Sequence, residues 1–596
     1  MLRLVCALLL IISACGSCPG ALKVSQAYYR STNASLHLFL ANHGKEPITV
    51  LPPVVNGQDC ASLGRDGRHV ANVLWYRCRP NPVAPGEIAD LTITLTVPTD
   101  KPATVDLSTL SGGKLRKTIR CTPEQIRFQA IRFSPDLRSV DLYVRSSKPL
   151  SLRRIRLDGR DVGKLCKPWS APTFNGLAYT RIRLSQPLVA NSYHVFEVEA
   201  DEGALTAYQI RAIPAEFLMG VYGSPSPDSI ADWEKHGVNH YISFGGIAGD
   251  MLDIFRKYGI SVGAKYIGAL LVDRAAGKVS PYDEGAARTA LKGVSDNPAL
   301  LYHHLADEPD VFDHYVKRTL GGSAMELIAR AEFYERNDPG RYTAVQIDNT
   351  FRPGNYRVYG ESADVLATHR YSLGNYLRSE AGVATVKRLS LLEDMVETLD
   401  RFRATNEPKP FFMVTQFFNL GANRAGRPPT IGEMRLQGYL MIAGGARGLL
   451  HYIFSGSVGG GEGGRTPALW DAMRGLHEEL MRVGKVAASG TPAPTSWVTC
   501  SSPNVLPSVL LSGDQMAVIL TNLSHRSAVE SFVAQPVKNS RIDLLVPPWM
   551  DASALEVVPV EGGTPLTVTR DRDRLHFTVD EVAVARCLLV RPRRSP

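Results

Sequence analysis

The 596-residue chain lacks the marks of several large protein classes. Its 67 basic and 58 acidic residues are interspersed, apart from a short basic tail at 591–594, so we expect no nucleic-acid partner. It has no Cys-x-x-Cys pair and no cluster of cysteine with histidine, which argues against a zinc module. No apolar run reaches the ~20 residues that cross a bilayer as a helix. The remaining composition, 44% hydrophobic and 21% charged, is that of an ordinary folded protein.

The first residues, MLRLVCALLLIISACGSC, have the pattern of an export signal. Arg3 supplies a positive charge, residues 4–12 are apolar, and small residues follow. Residues 12–15 resemble the lipobox of bacterial lipoproteins, which implies cleavage before Cys15 and a lipid on its sulfur. A plain secretory signal with an incidental cysteine explains the same residues. We therefore predict an export signal over residues 1–20, and a secreted protein or a cell-envelope lipoprotein attached to the membrane through Cys15.

Six of the nine cysteines lie outside this leader, an even number in a chain that we expect to reach an oxidising compartment. Pairing within domains is one of about fifteen connectivities that six cysteines allow. It predicts three disulfides, Cys60 with Cys78, Cys121 with Cys166, and Cys500 with Cys587.

The length predicts three or four domains at about 150 residues each. Residues 21–213 contain short alternating strands with turn residues between them, such as the Asp-Gly turn within 155–162, which is typical of β-sandwiches. Similar short strands return near the C-terminus. The predicted domains are β-sandwiches at 21–121 and 122–213, a central domain at 214–490 and a C-terminal β-sandwich at 491–596.

The central domain alternates strand candidates with long helical patterns. It contains eight strand-then-helix units in about 270 residues. That number and size are typical of a (β/α)8 TIM barrel. A doubly wound open sheet is the main alternative, but residues 219–225 lack the glycine-rich turn that its first strand requires. The eight strand candidates are 217–222, 238–244, 261–267, 300–306, 342–347, 364–371, 410–417 and 448–454.

Active sites of such barrels lie at the carboxyl ends of the strands. The residues there form a polar and aromatic ring. Aromatic faces stack on sugar rings and polar groups bind sugar hydroxyls, so the ring suits a carbohydrate better than a phosphate or an apolar ligand. Its members are Tyr222, Ser243, Lys265, Tyr266, Asp307, Glu308, Asp348, Asn349, His369, Tyr371, Gln416 and Tyr452.

The fourth strand candidate ends in Asp307-Glu308-Pro309. Here the chain resembles the large clan of (β/α)8 glycoside hydrolases, in which an Asn-Glu-Pro or related turn after this strand carries the general acid/base. The resemblance implies that Glu308 protonates the leaving glycosidic oxygen, a role that needs a raised pKa. A turn whose carboxylates cap the next helix is the structural alternative. A looser resemblance to secreted glycosidase-like proteins covers residues 409–454.

The chain departs from this clan at the seventh strand, where retaining members carry a nucleophilic glutamate and this sequence has Gln416. An amide cannot form the glycosyl-enzyme ester. Three hypotheses remain: Asp348 acts as nucleophile or as the base of an inverting enzyme, Asp307 takes part, or the barrel binds sugar without cleaving it. Asp348 also fits an Asx turn with Asn349.

His303 and His304 suggest a metal, but neighbouring residues on a strand face opposite sides, so at most one faces the barrel interior. The first strand also lacks a His-x-His motif, and we predict no metal and no cofactor. The glycine-rich stretch at 455–465 lacks the ending of a P-loop and is predicted to be a loop over the mouth, where Glu462 would approach substrate.

The sequence thus predicts a glycoside hydrolase that acts on an extracellular oligo- or polysaccharide. The competing class is a non-catalytic carbohydrate-binding or cell-surface protein that keeps the barrel as a scaffold.

Overall fold

The computed structural model describes most of the chain after the leader. The described residues are 21–65, 70, 72–167, 173–268, 271–273, 278–310, 324–348, 355–371, 373, 391–418, 427–454, 457–458, 461–462, 466–527 and 531–593.

The N-terminal region is a sandwich of two antiparallel four-stranded sheets around one apolar core. Its strands are β1 (Leu22–Arg30), β2 (Ser35–Asn42), β3 (Val54–Val55), β4 (Gln58–Asp59), β5 (Val73–Arg79), β6 (Ile88–Leu95), β7 (Ala103–Ser108) and β8 (Lys114–Ile119). The sheet orders are β1-β2-β6-β5 and β4-β3-β7-β8. Every second residue of β7 is buried, as expected of a strand with one face on a core.

A second sandwich with its own core follows. Its strands are β9 (Ile126–Phe133), β10 (Ser139–Ser146), β11 (Leu152–Leu157), β12 (Arg160–Asp161), β13 (Leu177–Arg183), β14 (Tyr193–Ala200) and β15 (Leu205–Arg211). They form sheets β13-β10-β9 and β12-β11-β14-β15. Asp158 and Gly159 both have positive φ between β11 and β12, which confirms the predicted Asp-Gly turn.

The central domain is a closed barrel of eight parallel strands, which confirms the predicted fold class. Its elements are β16 (Leu218–Tyr222), α1 (Pro227–Lys235), β17 (His240–Ile242), α2 (Gly249–Lys257), β18 (Ser261–Ala264), the hairpin β19 (Leu271–Asp273) and β20 (Lys278–Ser280), α3 (Glu284–Leu291), β21 (Leu300–Asp307), α4 (Ala324–Asn337), β22 (Tyr342–Ile347), α5 (Asn355–Tyr359), β23 (Val365–His369), α6 (Leu391–Asn406), β24 (Phe411–Gln416), α7 (Ile431–Ala443), β25 (Gly448–Tyr452), the hairpin β26 (Ser457–Val458) and β27 (Gly461–Glu462), and α8 (Pro467–Ser489).

Local sequence explains where the barrel helices begin. The side chain of Ser226 accepts a hydrogen bond from the backbone of Ser229 at the start of α1, and Pro227 occupies the first helical turn. Thr430 and Glu433 form a reciprocal capping box at the start of α7. These caps set the lengths of the loops that surround the barrel mouth.

The C-terminal sandwich has a five-stranded and a four-stranded sheet. Its strands are β28 (Thr491–Pro492), β29 (Val498–Cys500), β30 (Val505–Ser512), β31 (Gln515–Asn522), β32 (His525–Ser527), β33 (Phe532–Ala534), β34 (Val537–Leu545), β35 (Leu555–Pro559), β36 (Thr569–Asp571), β37 (Arg574–Val582) and β38 (Ala585–Pro592). The orders are β28-β30-β31-β38-β35 and β29-β34-β37-β36, with β32 and β33 as a separate hairpin. The order of sandwiches and barrel is as predicted, and the domain boundaries stay predictions.

Buried ion pairs join the sandwiches to the barrel. Arg30 of β1 donates to Glu361 at 2.9 Å, and Arg79 of β5 lies 3.4 Å from Asp364 at the start of β23. Arg211 of β15 lies 3.2 Å from the other oxygen of Asp364. All five side chains are largely buried, so each charge depends on its partner.

The predicted disulfides are wrong, because all six cysteines of the described chain are free. Cys60, Cys78 and Cys121 belong to the core of the first sandwich and Cys166 to that of the second. Cys500 lies on β29 and Cys587 on β38, in different sheets. They behave as small apolar side chains, and burial raises the pKa of the Cys60 thiol to about 11. Within the described residues, no helix is long and apolar enough to span a membrane.

Candidate active site

The carboxyl ends of the barrel strands bring together side chains from β16, β21, β22, β23 and β25. Contacts and charge interactions connect seven of the predicted site residues in this mouth. They are Tyr222, Asp307, Glu308, Asp348, His369, Tyr371 and Tyr452.

Glu308 follows the last residue of β21 and has a φ of 48°, a conformation that is uncommon for a residue with a side chain. Its backbone N–H donates to the carbonyl of Gln346 at 2.9 Å, and the register between β21 and β22 shifts between His304 and Asp307. Such an irregularity redirects side chains. The charges of Asp307 and Glu308 accordingly both act on Tyr222, although strand neighbours normally face opposite sides.

The carboxylates of Glu308 and Asp348 both approach the same nitrogen of the His369 imidazole. Nε2 of His369 is 3.5 Å from Oε1 of Glu308 and 3.1 Å from Oδ1 of Asp348. One donor atom from each of the three residues lies within 4.8 Å of the others. The side chains of His369 and Asp348 are less than a tenth exposed, whereas that of Glu308 is about a third exposed.

A hydrogen bond between the two loops holds these carboxylates in register. The backbone N–H of Asp348 donates to Oδ1 of Asp310, which lies two residues beyond Glu308. Asp310 is buried, and Pro309 restricts the backbone between them. This hydrogen bond therefore links the loops after β21 and β22 close to Glu308 and Asp348.

Gln346 contacts His369 and orients its ring, and it was not among the site residues predicted from the sequence. The Tyr222 hydroxyl donates to Oε1 of Gln346 at 2.5 Å, which turns the amide nitrogen toward Nδ1 of His369, 3.4 Å away. The Nε2 side of the ring thereby faces both carboxylates. Gln346 precedes Asp348 by two residues, so strand alternation from Asp348 was the signal that could have identified it.

The electrostatic environment favours a protonated Glu308. Burial raises the pKa of Glu308 to about 7, the charge of His369 lowers it, and the charges of Asp307 and Asp348 raise it further. Burial likewise raises the pKa of Asp307. Burial alone would lower the pKa of His369, but the hydrogen bond with Asp348 and the charge of Glu308 raise it overall. The site therefore combines an acid poised near neutrality with a histidine whose pKa the two carboxylates raise.

Aromatic rings line the mouth. Tyr371 stacks on His369 with ring centroids 4.3 Å apart, and Tyr452 lies 6.0 Å from Tyr371. Tyr222 packs edge-to-face on Tyr452 at 5.4 Å and stacks on Phe244 at 5.1 Å. Such a wall offers flat apolar faces beside the carboxylates.

The remaining predicted site residues are not part of this connected group. Lys265 is near Asp307, and burial lowers the pKa of Lys265 while that negative charge raises it. Tyr266 belongs to the core between barrel and helices, and its hydroxyl donates to the carbonyl of Ile247. Gln416 is buried at the end of β24, where its backbone N–H donates to Gln437. Asn349 and the side chain of Glu462 lie outside the described residues.

Three groups in the mouth could hold a divalent cation. Glu308, Asp348 and His369 offer two carboxylate oxygens and one imidazole nitrogen. His303, in contrast, contacts Asp338 at 2.8 Å and stacks on Tyr334 of α4, behind the strand. His303 therefore faces the helices and not the barrel interior.

No protein-family model matches the chain, and no curated protein matches it in sequence. Several solved structures share its general arrangement. A family 5 glycoside hydrolase from Bacteroides vulgatus is 12% identical, with a TM-score of 0.42 over 65% of this chain and 91% of that one. A family 42 β-galactosidase from G. stearothermophilus is 9% identical, with a TM-score of 0.42 over 63% and 98%.

A Paenibacillus cycloisomaltooligosaccharide glucanotransferase is 10% identical, with a TM-score of 0.40 over 78% of this chain and 99% of that chain. The chain is thus similar to multidomain glycosidases with barrels and β-rich domains. Similarity this low carries no information about activity.

Proposed function

We propose that the protein is a glycoside hydrolase that cleaves a glycosidic bond of an oligo- or polysaccharide in the barrel mouth. One observation carries the proposal. Glu308, with a pKa raised to about 7, has a carboxyl oxygen within 4.8 Å of one from Asp348, and aromatic rings line the space around them. An acid near neutrality beside a second carboxylate is the arrangement that glycoside hydrolysis requires.

Glu308 is the proposed general acid. It gives its proton to the glycosidic oxygen while the bond from that oxygen to the anomeric carbon breaks. A pKa near the working pH maximises the product of protonated fraction and acid strength. The one-third exposure of its side chain lets it reach substrate.

Asp348 is the proposed nucleophile. Carboxyl groups of retaining enzymes are about 5–5.5 Å apart and those of inverting enzymes about 6.5–9.5 Å apart, and the close approach to Glu308 supports retention. The Asp348 oxygen would attack the anomeric carbon as the leaving group departs. Glu308, now ionised, would then take a proton from the water that hydrolyses the ester.

His369 is the proposed positioning residue for this pair. Its Nε2 faces both carboxylates, at 3.5 Å from Glu308 and 3.1 Å from Asp348, and would hold them in place for the reaction. Gln346 and Tyr222 support that orientation from the other side of the ring. With Glu308 and Asp348 as the catalytic pair, the proposed mechanism does not need a carboxylate in place of Gln416.

Asp307 is the competing candidate for the second carboxylate. Its Oδ1 is buried with no hydrogen-bond partner among the described residues, which is costly unless substrate supplies one. Alanine variants of Asp307 and Asp348 distinguish the two. Azide that replaces a missing nucleophile restores turnover of an aryl glycoside and gives a glycosyl azide of inverted anomeric configuration. Rescue of the Asp307 variant alone would refute the assignment of Asp348.

Loss of activity in Glu308→Gln tests the function itself. The assay is hydrolysis of a panel of polysaccharides and aryl glycosides by the wild type and by this variant. Glu216→Gln is the matched control, because Glu216 precedes β16 at the opposite end of the barrel and burial raises its pKa as well. Equal hydrolysis by wild type and Glu308→Gln would refute Glu308 as the acid, and hydrolysis by neither would favour the non-catalytic carbohydrate-binding protein.

Export remains a proposal from the leader sequence, since residues 1–20 lie outside the described residues. Cys15→Ala separates its two versions. Loss of palmitate labelling and release from the envelope would support the lipoprotein, and unchanged secretion would support a plain signal.

A further inference from the structure

Phe244 lies at the rim of the mouth and is unusually exposed for its type. It comes two residues after β17 and is 41% exposed. Among the described residues it is the only aromatic side chain in the set of large exposed apolar ones, whose other members are valine, leucine and isoleucine. An exposed phenyl ring leaves apolar surface in water, so its position beside a polar site needs an explanation.

The ring of Phe244 continues the aromatic wall of the proposed active site. It stacks on Tyr222 at 5.1 Å and an interplanar angle of 30°, and meets Tyr452 edge-to-face at 6.0 Å. The charge of Glu308 acts on both tyrosines. Because Tyr222 covers one face of the ring, the exposed surface lies on the remainder of the ring.

The backbone on both sides of Phe244 is held in place. The N–H of Ser243 donates to the carbonyl of Gly263 at 2.8 Å, and the Ser243 hydroxyl accepts from the N–H of Gly245 at 3.2 Å. The carbonyl of Gly245 in turn accepts from the N–H of Lys265 at 3.1 Å. A side chain on such a fixed turn loses little conformational freedom when a ligand covers it.

We propose that Phe244 is a stacking platform for a pyranose ring of the substrate, in a subsite next to the bond that Glu308 cleaves. This inference rests on the proposed hydrolase. A pyranose presents axial C–H groups on one face, and these pack on an aromatic face. Phenylalanine has no hydroxyl, so the platform contributes apolar contact and leaves recognition of sugar hydroxyls to Tyr452 and Tyr371.

Binding measured without cleavage tests the platform. The full-length Glu308→Gln protein is titrated by calorimetry with soluble gluco-, galacto-, xylo-, manno- and chito-oligosaccharides. We expect Phe244→Ala in this background to weaken the best-bound sugar about tenfold, as for loss of one aromatic contact, and Phe244→Tyr to stay within twofold. Leu110→Ala, which truncates an exposed side chain of the N-terminal sandwich, is the control and should not change affinity.

Cleavage of the same sugars by the wild type is followed in parallel, so the two proposals fail separately. Affinity within twofold of the parent in Phe244→Ala, or binding of none of the sugars, overturns the platform. Weakened binding in Phe244→Ala without cleavage by the wild type overturns hydrolysis and keeps the platform as a binding site. Unchanged thermal unfolding of Phe244→Ala excludes misfolding as the cause of weak binding.

Discussion

Replacing Glu308 with glutamine should stabilise the folded protein at neutral pH and not in acid. Burial and three neighbouring carboxylates raise the pKa of Glu308 from 4.5 to about 7. A pKa raised on folding means that the folded state favours the proton. The associated stability is fully present below about pH 4.5 and is lost as pH rises to about 7.

The magnitude follows from that pKa shift. A rise of the pKa from 4.5 to about 7, at about 1.36 kcal/mol for each tenfold change in proton affinity, gives an upper limit of about 3.4 kcal/mol at pH 8. Because the side chain is one-third exposed, solvent screening reduces this, and we expect about 1–2 kcal/mol. For a barrel of this size that corresponds to a rise of about 2–5 °C in the melting temperature.

Calorimetric melting of wild type and Glu308→Gln at pH 4 and pH 8 measures the difference without any substrate. The expected result is a higher melting temperature for the variant at pH 8 and nearly equal values at pH 4. An equal difference at both values of pH, or a less stable variant at pH 8, would refute the argument that Glu308 is held near neutrality.

Two further predictions concern the charges around the site and beneath the barrel. His369→Asn should move the alkaline limb of the pH profile of kcat/KM upward by about one to three pH units. The reason is that the charge of His369, whose Nε2 lies 3.5 Å from Glu308, lowers the pKa of Glu308. An alkaline limb that stays in place or moves down would contradict this. Asp364→Asn should cost about 3 kcal/mol in urea unfolding, since Arg79 and Arg211 would lose their nearer counter-charge and keep only Glu335, at 3.8 and 3.9 Å. A loss below about 1 kcal/mol would show that Glu335 alone compensates both charges.

The sequence by itself determined the barrel and the place of its mouth. Hydrophobic periodicity is local, so the fifth strand, predicted at 342–347, is found at Tyr342–Ile347, and the other seven strands differ by a few residues at their ends. Closure into a barrel then places every strand end at one mouth, and for this reason Glu308 and Asp348 could be named from the chain alone.

Only the tertiary structure decided how those residues meet. The shifted register after His304 and the positive φ of Glu308 let adjacent carboxylates act in one mouth, against simple strand alternation. The bond from Asp348 to Asp310 and the orientation of His369 by Gln346 join separate strands. Distances between such groups depend on contacts far apart in the chain, which local patterns do not encode. The disulfide prediction was wrong for the same reason, because an even number of cysteines carries no information about which side chains are adjacent in space.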